Sequence, residues 1–274
     1  MIQELIEREK LFFRPLLESA SKITEEMKNT WRTETVAERL ERVSLETFDL
    51  CGGKVVDGLF RGLVLSEKTF WGKSDIGAQC LGIYEKEILN VLERIGPFEV
   101  FLDIGAADGY YAVGMLHAQM TKKAICMEIS NEGQRVIRQN WRSNNRPGFL
   151  TVLGEATPTS VCEIADTLPR EALVLIDIEG SEFSLLTESV ISSLKDCTVI
   201  IEVHHWVDQF FEVYAELLKR LDQFYWIKIL EPAERNTYNH PVLGTYCDDN
   251  RLLVASERRP SHMRFLHCVP KRLG

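Results

Sequence analysis

The sequence has no long apolar segment. Its longest strongly apolar runs, such as ALVLIDI at 172–178, are short and contain an acidic residue, whereas a membrane-spanning helix needs about 20 apolar residues. The first ten residues, MIQELIEREK, are charged from the fourth residue onward and include no apolar stretch of the secretory type. We therefore expect a cytoplasmic protein with no membrane partner.

Paired cysteines and an excess of basic residues are also lacking. The seven cysteines are an odd number, none has C-x-x-C spacing, and several lie in apolar runs, so reduced, buried thiols are the simplest interpretation. Lys and Arg number 32 against 41 Asp and Glu, which gives a net charge of −9. Because nucleic-acid phosphates require a clustered positive surface, this balance argues against a nucleic-acid partner.

The dinucleotide fingerprint G-x-G-x-x-G is incomplete as well. The turn in FLDIGAADGYYAVG (101–114) has its first glycine at 105, but Ala107 and Tyr110 stand where the other two glycines would be. Because the second glycine lets the backbone approach a pyrophosphate, Ala107 disfavours NAD. The motif that is present is D-x-G-x-x-x-G, formed by Asp103, Gly105 and Gly109.

From Pro97 onward the sequence contains a regular alternation of apolar strands and amphipathic helices. The predicted strands are 99–104, 123–129, 149–153, 172–178, 197–204, 224–230 and 251–256. Helices are predicted between the earlier strands at 109–119, 131–143, 182–194 and 206–222. Continuously apolar strands such as LVLI are typical of a parallel sheet that helices cover on both faces. The pattern predicts an α/β fold with a Rossmann-like, doubly wound, mostly parallel seven-stranded sheet.

The residues before this alternation form a separate N-terminal region. Residues 1–50 show helical spacing of apolar side chains, and residues 51–82 are rich in glycines, short β-like runs and aromatics. The spacing of apolar residues in 83–95 predicts an amphipathic helix that ends at Gly96-Pro97. We therefore expect an N-terminal helical cap at 1–96, which could also mediate homo-oligomer contacts, and a Rossmann-like ligand-binding domain at 97–274.

Polar residues lie at the end of the second predicted strand and directly after the third. Glu128 lies 23 positions after Gly105, at the end of the second strand, where a carboxylate can accept hydrogen bonds from both hydroxyls of a ribose. The third strand leads into Gly154-Glu155-Ala156, which is placed to line an adenine. These residues fit a ligand with an adenosine, no pyrophosphate and a positive centre. S-adenosylmethionine has those properties.

The segments DIGAADGYYAVG, LVLIDIEGSEFSLL, TVIIEVHHW and LGIYEKEI together resemble the FkbM-type family of S-adenosylmethionine-dependent methyltransferases. The resemblance covers roughly residues 55 to 205. Its more specific part is DIEG, followed closely by a glutamate and then by an IEVH strand. It implies a methyltransferase domain at 97–274 and O-methylation of a small molecule or glycan. The family often has asparagine where this chain has Ala107.

The resemblance also implies roles for individual residues. The methionine end of the cofactor would be held by Asp103, Gly105, Ala106 and Gly109, and the start of the helix after Gly109 would favour its carboxylate. The other implied cofactor contacts are Glu128 with Ile129 at the ribose, Glu155 and Ala156 at the adenine edge, and Asp177 facing the methyl group.

Three acidic residues lie at the end of the fourth predicted strand or soon after it. Ser181 has the position of an N-cap, and Glu182 would favour the dipole of the next helix, so we interpret Glu182 as structural. Asp177 ends the apolar run LVLI, where a buried carboxylate is costly without a task, so we interpret it as functional. Glu179 fits either interpretation and is retained with Asp177 as a catalytic candidate.

Glu202 and His204 are two residues apart on the fifth predicted strand and should project from one face, while His205 projects from the other. Three interpretations of His204 stay open: a general base with an orienting partner, a divalent-metal ligand together with Asp177, or a hydrogen-bonded structural histidine. Metal has the least support, because no second ligand cluster of fixed spacing is present. We therefore predict no metal site and retain His204 as a catalytic candidate.

These observations predict an S-adenosylmethionine-dependent O-methyltransferase. Enzymes that methylate the amino groups of nucleic-acid bases tend to have an Asn-Pro-Pro-Tyr-like turn after the fourth strand, whereas this chain has Asp-Ile-Glu-Gly at 177–180. Together with the acidic net charge, this favours an oxygen acceptor on a small molecule or glycan. Two alternatives stay open: a non-catalytic S-adenosylmethionine-binding or scaffold protein and, less favoured, a nicotinamide-dependent oxidoreductase.

Overall fold

The N-terminal region begins with three helices. The computed structural model describes residues 2–22, 24–257, 259 and 263–271, so residues 1, 23, 258, 260–262 and 272–274 of the two predicted regions lie outside the described residues. The helices are α1 (Ile2–Ala20), α2 (Glu25–Thr33) and α3 (Val36–Leu50), in agreement with the helical spacing over 1–50. None of the helices in the described ranges has both the length and the hydropathy that a membrane crossing requires.

Helix α3 is fixed to the rest of the fold. The Thr35 hydroxyl accepts a hydrogen bond from the Glu38 amide, and the Glu38 carboxylate accepts one from the Thr35 amide, which forms a capping box. The buried face of α3, including Val43, packs against α4 (Ile76–Leu81). Helix α1 instead exposes large apolar side chains, among them Leu11, Phe12 and Leu17.

The segment between α3 and the sheet packs into the main core. Phe60, from the glycine-rich part, lies in one apolar cluster with Phe101 of the first strand. Helix α5 (Lys86–Ile95) adds Ile88 to the same cluster and ends at Gly96, as predicted. Burying each such side chain contributes about 1.5–3 kcal/mol, so the segment is held firmly against the sheet.

A seven-stranded, mostly parallel sheet forms the centre of the described chain. Its strands are β1 (Phe98–Ile104), β2 (Thr121–Met127), β3 (Phe149–Leu153), β4 (Leu173–Ile176), β5 (Thr198–Val203), β6 (Tyr225–Leu230) and β7 (Arg264–Pro270). In space they follow the order β3-β2-β1-β4-β5-β7-β6. Strands β1 to β5 are parallel, and β7 is antiparallel to both β5 and β6. The predicted α/β fold with seven mostly parallel strands is confirmed.

Helices cover the sheet on both faces. The remaining helices of the described chain are α6 (Tyr110–His117), α7 (Asn131–Ser143), α8 (Pro158–Ala165), α9 (Glu182–Leu185), α10 (Glu188–Ser193), α11 (Phe210–Asp222) and α12 (Asp248–Leu253). Successive residues of one strand enter different apolar clusters, as Phe101 and Leu102 of β1 do. The predicted single helix at 182–194 is wrong: Thr187 interrupts it and caps α10 by accepting a hydrogen bond from the Val190 amide.

The predicted seventh strand at 251–256 is also wrong. Those residues form the end of α12 and the turn after it, and the seventh strand is β7 instead. The run RLLV fits either structure, and Asp248 and Asp249 in the first turn favour the helix through its dipole. The later run RFLHCVP becomes a strand because it pairs with β5 on one side and β6 on the other.

Candidate active site

A cavity of about 320 Å³ lies at the carboxyl ends of β1, β2 and β4, a volume typical of small-molecule sites. The strand order reverses direction between β1 and β4, and ligands of open α/β sheets bind at such a switch point. We call it the main cavity. All the predicted cofactor contacts except Gly109 line it: Asp103, Gly105, Ala106, Glu128, Ile129, Glu155, Ala156 and Asp177.

The turn after β1 leaves no room for a side chain. Gly105 has a φ of +89°, and a Cβ at this position would lie 1.6 Å from the carbonyl oxygen of Asp177, so only glycine lets the ends of β1 and β4 meet. Gly109 precedes α6 with a φ of +76° and packs against Ile137, which makes it a residue of the turn rather than of the cavity wall. Ala107 has a φ of +45°, a conformation that asparagine adopts more readily than alanine.

Asp103 is a buried acid with one free oxygen. It is 3% exposed, and its Oδ2 atom has no hydrogen-bond partner among the described residues. Burial raises the pKa of Asp103 to about 7, although a hydrogen bond from the Ala112 amide acts in the opposite direction. An unpartnered buried polar atom costs roughly 1–3 kcal/mol. A cationic donor from a ligand would remove that cost.

Backbone donors hold Glu128 in place. Strand β2 ends at Met127, so Glu128 is the first residue after the strand rather than part of it as predicted. Its Oε2 accepts a hydrogen bond from the Ala107 amide at 2.9 Å, and its Oε1 accepts one from the Ser130 amide at 2.7 Å. Because an ionised carboxylate has about four acceptor sites, both oxygens retain capacity for ligand hydroxyls.

Two aromatic residues at the main cavity, Phe70 and Trp71, are not singled out by the sequence pattern. The Asp108 carboxylate accepts hydrogen bonds from the Phe70 amide at 2.8 Å and from the Trp71 amide at 3.4 Å. Asn140 of α7 supports the same turn, because its side chain donates to the Asp108 carbonyl and accepts from the Ser66 amide. The segment 66–72 is therefore tied to the turn after β1.

A second cavity, of about 410 Å³, adjoins the main cavity. The two share the wall residues Trp71, Tyr84, Glu85, Asp177 and Glu179. The remaining wall of the second cavity includes Glu202, His204, Trp206, Glu257 and Arg259. We call it the acidic cavity, because carboxylates dominate its polar wall. The structure thus brings together the three predicted catalytic candidates, with Asp177 and Glu179 at the junction of the two cavities.

A buried carboxylate orients His204. The backbone amide of His204 donates to Glu182 Oε1 at 2.8 Å, and ring Nδ1 lies 3.2 Å from the same oxygen. The two residues are 1% and 0% exposed. With Nδ1 turned toward Glu182, Nε2 faces Asp177, Glu179 and Glu202, whose nearest oxygens lie at 3.5, 3.7 and 3.8 Å.

Glu182 links two strand ends. Besides His204 at the end of β5, it binds the turn after β4, where its Oε2 accepts a hydrogen bond from the Gly180 amide at 2.9 Å. Ser181 occupies the N-cap position of α9, as predicted, but its side chain forms no capping hydrogen bond and α9 has only four residues. A structural role for Glu182 therefore comes from these contacts and not from a helix dipole.

Arg259 supplies positive charge to the acidic cavity. Its guanidinium contacts the carboxylates of Glu85 at 2.8 Å, Glu257 at 2.6 Å and Glu202. Glu85 also accepts a hydrogen bond from the Tyr111 hydroxyl at 2.6 Å. Glu257 and Arg259 follow no recognisable motif and lie far from Glu85 in sequence, so sequence reasoning does not find this network.

Burial and crowding shift the pKa values in the acidic cavity. Burial raises the pKa of Asp177 well above its usual value, and the Glu85 carboxylate adds to the effect. Burial likewise raises the pKa of Glu202, with further repulsion from Asp177. Burial disfavours a charged imidazole, but the hydrogen bond to Glu182 and the neighbouring carboxylates outweigh it and raise the pKa of His204. A bound cation or shared protons would relieve this repulsion.

Comparisons with known proteins give remote likenesses. No known family profile matches the chain, and no curated protein is significantly similar to it. Among solved structures, the chain is similar to precorrin-6y C5,15-methyltransferase from Geobacter metallireducens GS-15, with 14% identity and a TM-score of 0.44 over 75% of this chain and 92% of that one.

Two further solved structures show likenesses of the same kind. One is M. capricolum TrmK in complex with S-adenosylhomocysteine, with 15% identity and a TM-score of 0.40 over 67% of this chain and 66% of that one. The other is an rRNA methylase from Streptococcus thermophilus, with 10% identity and a TM-score of 0.42 over 68% and 96% of the respective chains. Likenesses this remote identify neither the reaction nor the acceptor of this chain.

Proposed function

We propose that this chain is an S-adenosylmethionine-dependent methyltransferase that acts on a hydroxyl group of a small molecule or glycan. The observation that carries the proposal is the main cavity, where a side-chain-free glycine turn, the unpartnered Asp103 and the fixed Glu128 meet at the ends of adjacent parallel strands. When bound, S-adenosylmethionine supplies a methyl carbon on a positively charged sulfur.

The wall residues match the parts of this cofactor. Asp103 would accept hydrogen bonds from the ammonium group through its free Oδ2, and the Gly105 turn with the start of α6 would hold the carboxylate. Glu128 would accept hydrogen bonds from both ribose hydroxyls, since each of its oxygens has a remaining acceptor site. The adenine would be bounded by the residues that follow β2 and β3, namely Ile129, Glu155 and Ala156.

The acceptor would bind in the acidic cavity. Asp177 and Glu179 line both cavities, which would place them beside the transferred methyl group. A hydroxyl acceptor must lose its proton during transfer, and Asp177 would orient the hydroxyl and take up that proton. Trp71 and Trp206 also line the acidic cavity, where their rings suit the apolar face of a sugar or of a small molecule.

The proposal extends to the N-terminal region 1–96, which we regard as a cap. Trp71, Tyr84 and Glu85 come from this region and line both cavities. The net charge of −9 and the carboxylates of the acidic cavity disfavour nucleic-acid phosphates near the acceptor. We therefore retain a small-molecule or glycan acceptor and exclude nucleic acid from the proposal.

Calorimetry with S-adenosylhomocysteine and with NAD tests the cofactor. We expect S-adenosylhomocysteine to bind and, at about 100 times its Kd, to add roughly 2.7 kcal/mol to the free energy of unfolding. NAD should not bind, because Ala107 stands where a pyrophosphate requires glycine. Binding of NAD, or an unchanged melting temperature with millimolar S-adenosylhomocysteine, would overturn the proposal.

A non-catalytic S-adenosylmethionine-binding protein that assembles through its N-terminal helices is the second candidate. The exposed apolar side chains of α1 favour it, since they offer a surface for self-association: Leu11, Phe12 and Leu17. Incubation with labelled S-adenosylmethionine and a panel of hydroxyl acceptors separates the two functions. Tight S-adenosylhomocysteine binding without transfer to any acceptor would favour the scaffold.

A further inference from the structure

The acidic cavity contains three donor atoms that lie close enough together to bind one metal ion. A ring nitrogen of His204 and one carboxylate oxygen each from Asp177 and Glu179 lie within 4.8 Å of one another. We infer that these residues bind one divalent transition-metal ion beside the main cavity, and that the ion binds the acceptor hydroxyl. The task of the ion rests on the proposed function, whereas the site rests on the geometry alone.

The donor atoms are spaced for an ion rather than for hydrogen bonds to one another. His204 Nε2 lies 3.5 Å from Asp177 Oδ1 and 3.7 Å from Glu179 Oε2, and Asp177 Oδ1 has no hydrogen-bond partner in the described part of the chain. Donors bound to one ion at about 2.1 Å lie about 3.0–3.4 Å apart. Small side-chain movements toward the centre would therefore complete the coordination.

The structure already contains a residue that orients the histidine. Glu182 is fully buried and accepts a hydrogen bond from His204 Nδ1, which directs Nε2 to the cavity. A carboxylate in this position fixes the tautomer of a ligating histidine and raises the basicity of its free nitrogen. Glu182 also binds the Gly180 amide, which belongs to the same turn as Asp177 and Glu179. One buried side chain thus positions all three ligands.

The charges of the acidic cavity select this trio over its neighbours. Glu85, Asp177 and Glu202 also lie within ligand distance of one another, but Arg259 forms ion pairs with both Glu85 and Glu202. The Arg259 guanidinium therefore already neutralises the carboxylates on that side of the cavity. A mixed set of one imidazole and two carboxylates suits Mn²⁺ or Zn²⁺, whereas Ca²⁺ prefers oxygen ligands alone.

An ion at this position would help methyl transfer to oxygen. Coordination lowers the pKa of a hydroxyl group, and the released proton would pass to a carboxylate of the cavity. The oxygen lone pair then forms the new C–O bond as the C–S bond of the cofactor breaks, and the electron pair of that bond stays on sulfur as a neutral thioether. Because Asp177 and Glu179 line both cavities, the ion would lie between the acceptor and the methyl group.

Titration of the chelator-treated full chain with Mn²⁺, followed by electron paramagnetic resonance, tests the site without requiring the acceptor. We expect one Mn²⁺ per chain. Glu179→Gln changes a half-exposed side chain and should leave the fold intact, and it should weaken Mn²⁺ binding at least about tenfold. Glu182→Gln should weaken Mn²⁺ binding about 10–100-fold, because His204 loses its orienting carboxylate. Glu188→Gln on the surface of α10 is the matched control and should bind Mn²⁺ like the wild type. Parallel titrations with Mg²⁺ and Zn²⁺ identify the preferred ion.

S-adenosylhomocysteine binding, measured on the same samples, separates this inference from the proposed function. If S-adenosylhomocysteine binds but Mn²⁺ does not, the metal site is overturned and the methyltransferase proposal stands. If Mn²⁺ binds equally well to the wild type and to Glu179→Gln and Asp177→Asn, the site lies elsewhere and the inference is wrong. If Mn²⁺ binding depends on Glu179 but S-adenosylhomocysteine does not bind, the site is supported and the proposed function fails.

Discussion

The two cavities share a wall but are built in different ways. The main cavity is shaped by backbone: a turn at Gly105 that admits no side chain, and amides that hold Glu128 at the end of a strand. The acidic cavity is shaped by side chains that come from residues as distant as Trp71 and Met263. A cofactor-like site can therefore be prepared by short local segments, whereas the polar site beside it depends on charge balance across the whole fold.

This contrast predicts different consequences of substitution. Changes in the main cavity should act on cofactor affinity, because its polar groups are aimed at a bound ligand. Changes in the acidic cavity should act on transfer, because the proposed function places the acceptor there. Asp177→Asn and Glu128→Ala test that division directly, and Asp103→Asn tests the buried acid of the main cavity; they follow from the largest expected effect to the smallest.

Asp177→Asn should separate transfer from cofactor binding. The substitution keeps the size of the side chain but removes a charge at the junction of the cavities. We expect the rate of methyl transfer to fall by about 10²–10⁴, the usual contribution of a positioned acid or base. The affinity for S-adenosylhomocysteine, measured by calorimetry, should change far less.

The reverse result would contradict the separate roles of the two cavities. Reduced S-adenosylhomocysteine affinity with normal turnover at saturating cofactor would make Asp177 a binding residue, and the base would have to be sought at His204 or in the cap. A chelator tests separately whether these acids act through a metal ion. Loss of wild-type transfer on chelation, with recovery on adding Mn²⁺, would show that the acids act through an ion.

Asp103→Asn should change how stability depends on pH. Burial raises the pKa of Asp103 from 3.8 to about 7, so the folded state binds this proton more tightly than the unfolded state does. The free energy of unfolding should therefore fall as the pH rises from about 4 to 7, by at most about 4 kcal/mol from this residue. The asparagine variant lacks that contribution.

Urea denaturation at pH 5 and pH 8, without cofactor, measures this difference. Other buried acids act in the same direction, so only the comparison of the variant with the wild type isolates Asp103. An equal loss of stability between pH 5 and pH 8 in both proteins would mean that the pKa of Asp103 is not raised in the folded state.

Glu128→Ala should weaken cofactor binding, and this is the smallest of the three expected effects. Charge-assisted hydrogen bonds to the ribose contribute about 1.5–3 kcal/mol, so the affinity for S-adenosylhomocysteine should fall roughly tenfold to a hundredfold. The methyl-transfer rate at saturating cofactor should stay close to that of the wild type. Unchanged affinity in a folded variant would contradict the assigned ribose position after β2.

Sequence patterns predicted the elements whose signals are local. Helix α7 has the predicted bounds 131–143 and β3 the predicted bounds 149–153, because a serine cap marks the start of α7 and the β-favouring run FLTVL marks β3. Helix α8 was missed although Thr157 forms a capping box with Ser160, a signal that precedes only eight residues of helix. The seventh strand was misplaced because its pairing with β5 and β6 is long-range and leaves no local signature.

The candidate site divides in the same way. Asp103, Gly105 and Glu128 follow from the ends of predicted strands, since parallel strands bring their carboxyl ends to one edge. The pairing of Glu182 with His204 does not follow from the sequence, because it joins a short helix to the end of a different strand. Phe70 and Trp71 line the main cavity on a segment whose amides bind Asp108, a contact that no local sequence pattern marks.

The sequence by itself determined the α/β alternation, the glycine turn and the order of acidic strand ends, because apolar periodicity and backbone sterics act over a few residues. Only the tertiary structure decided which acids meet His204, and which carboxylates Arg259 neutralises. Those choices depend on distances between side chains up to about 170 positions apart in the chain, as for Glu85 and Arg259. Coulomb interactions and burial, which set the pKa values of the acidic cavity, exist only once the chain has brought such residues together.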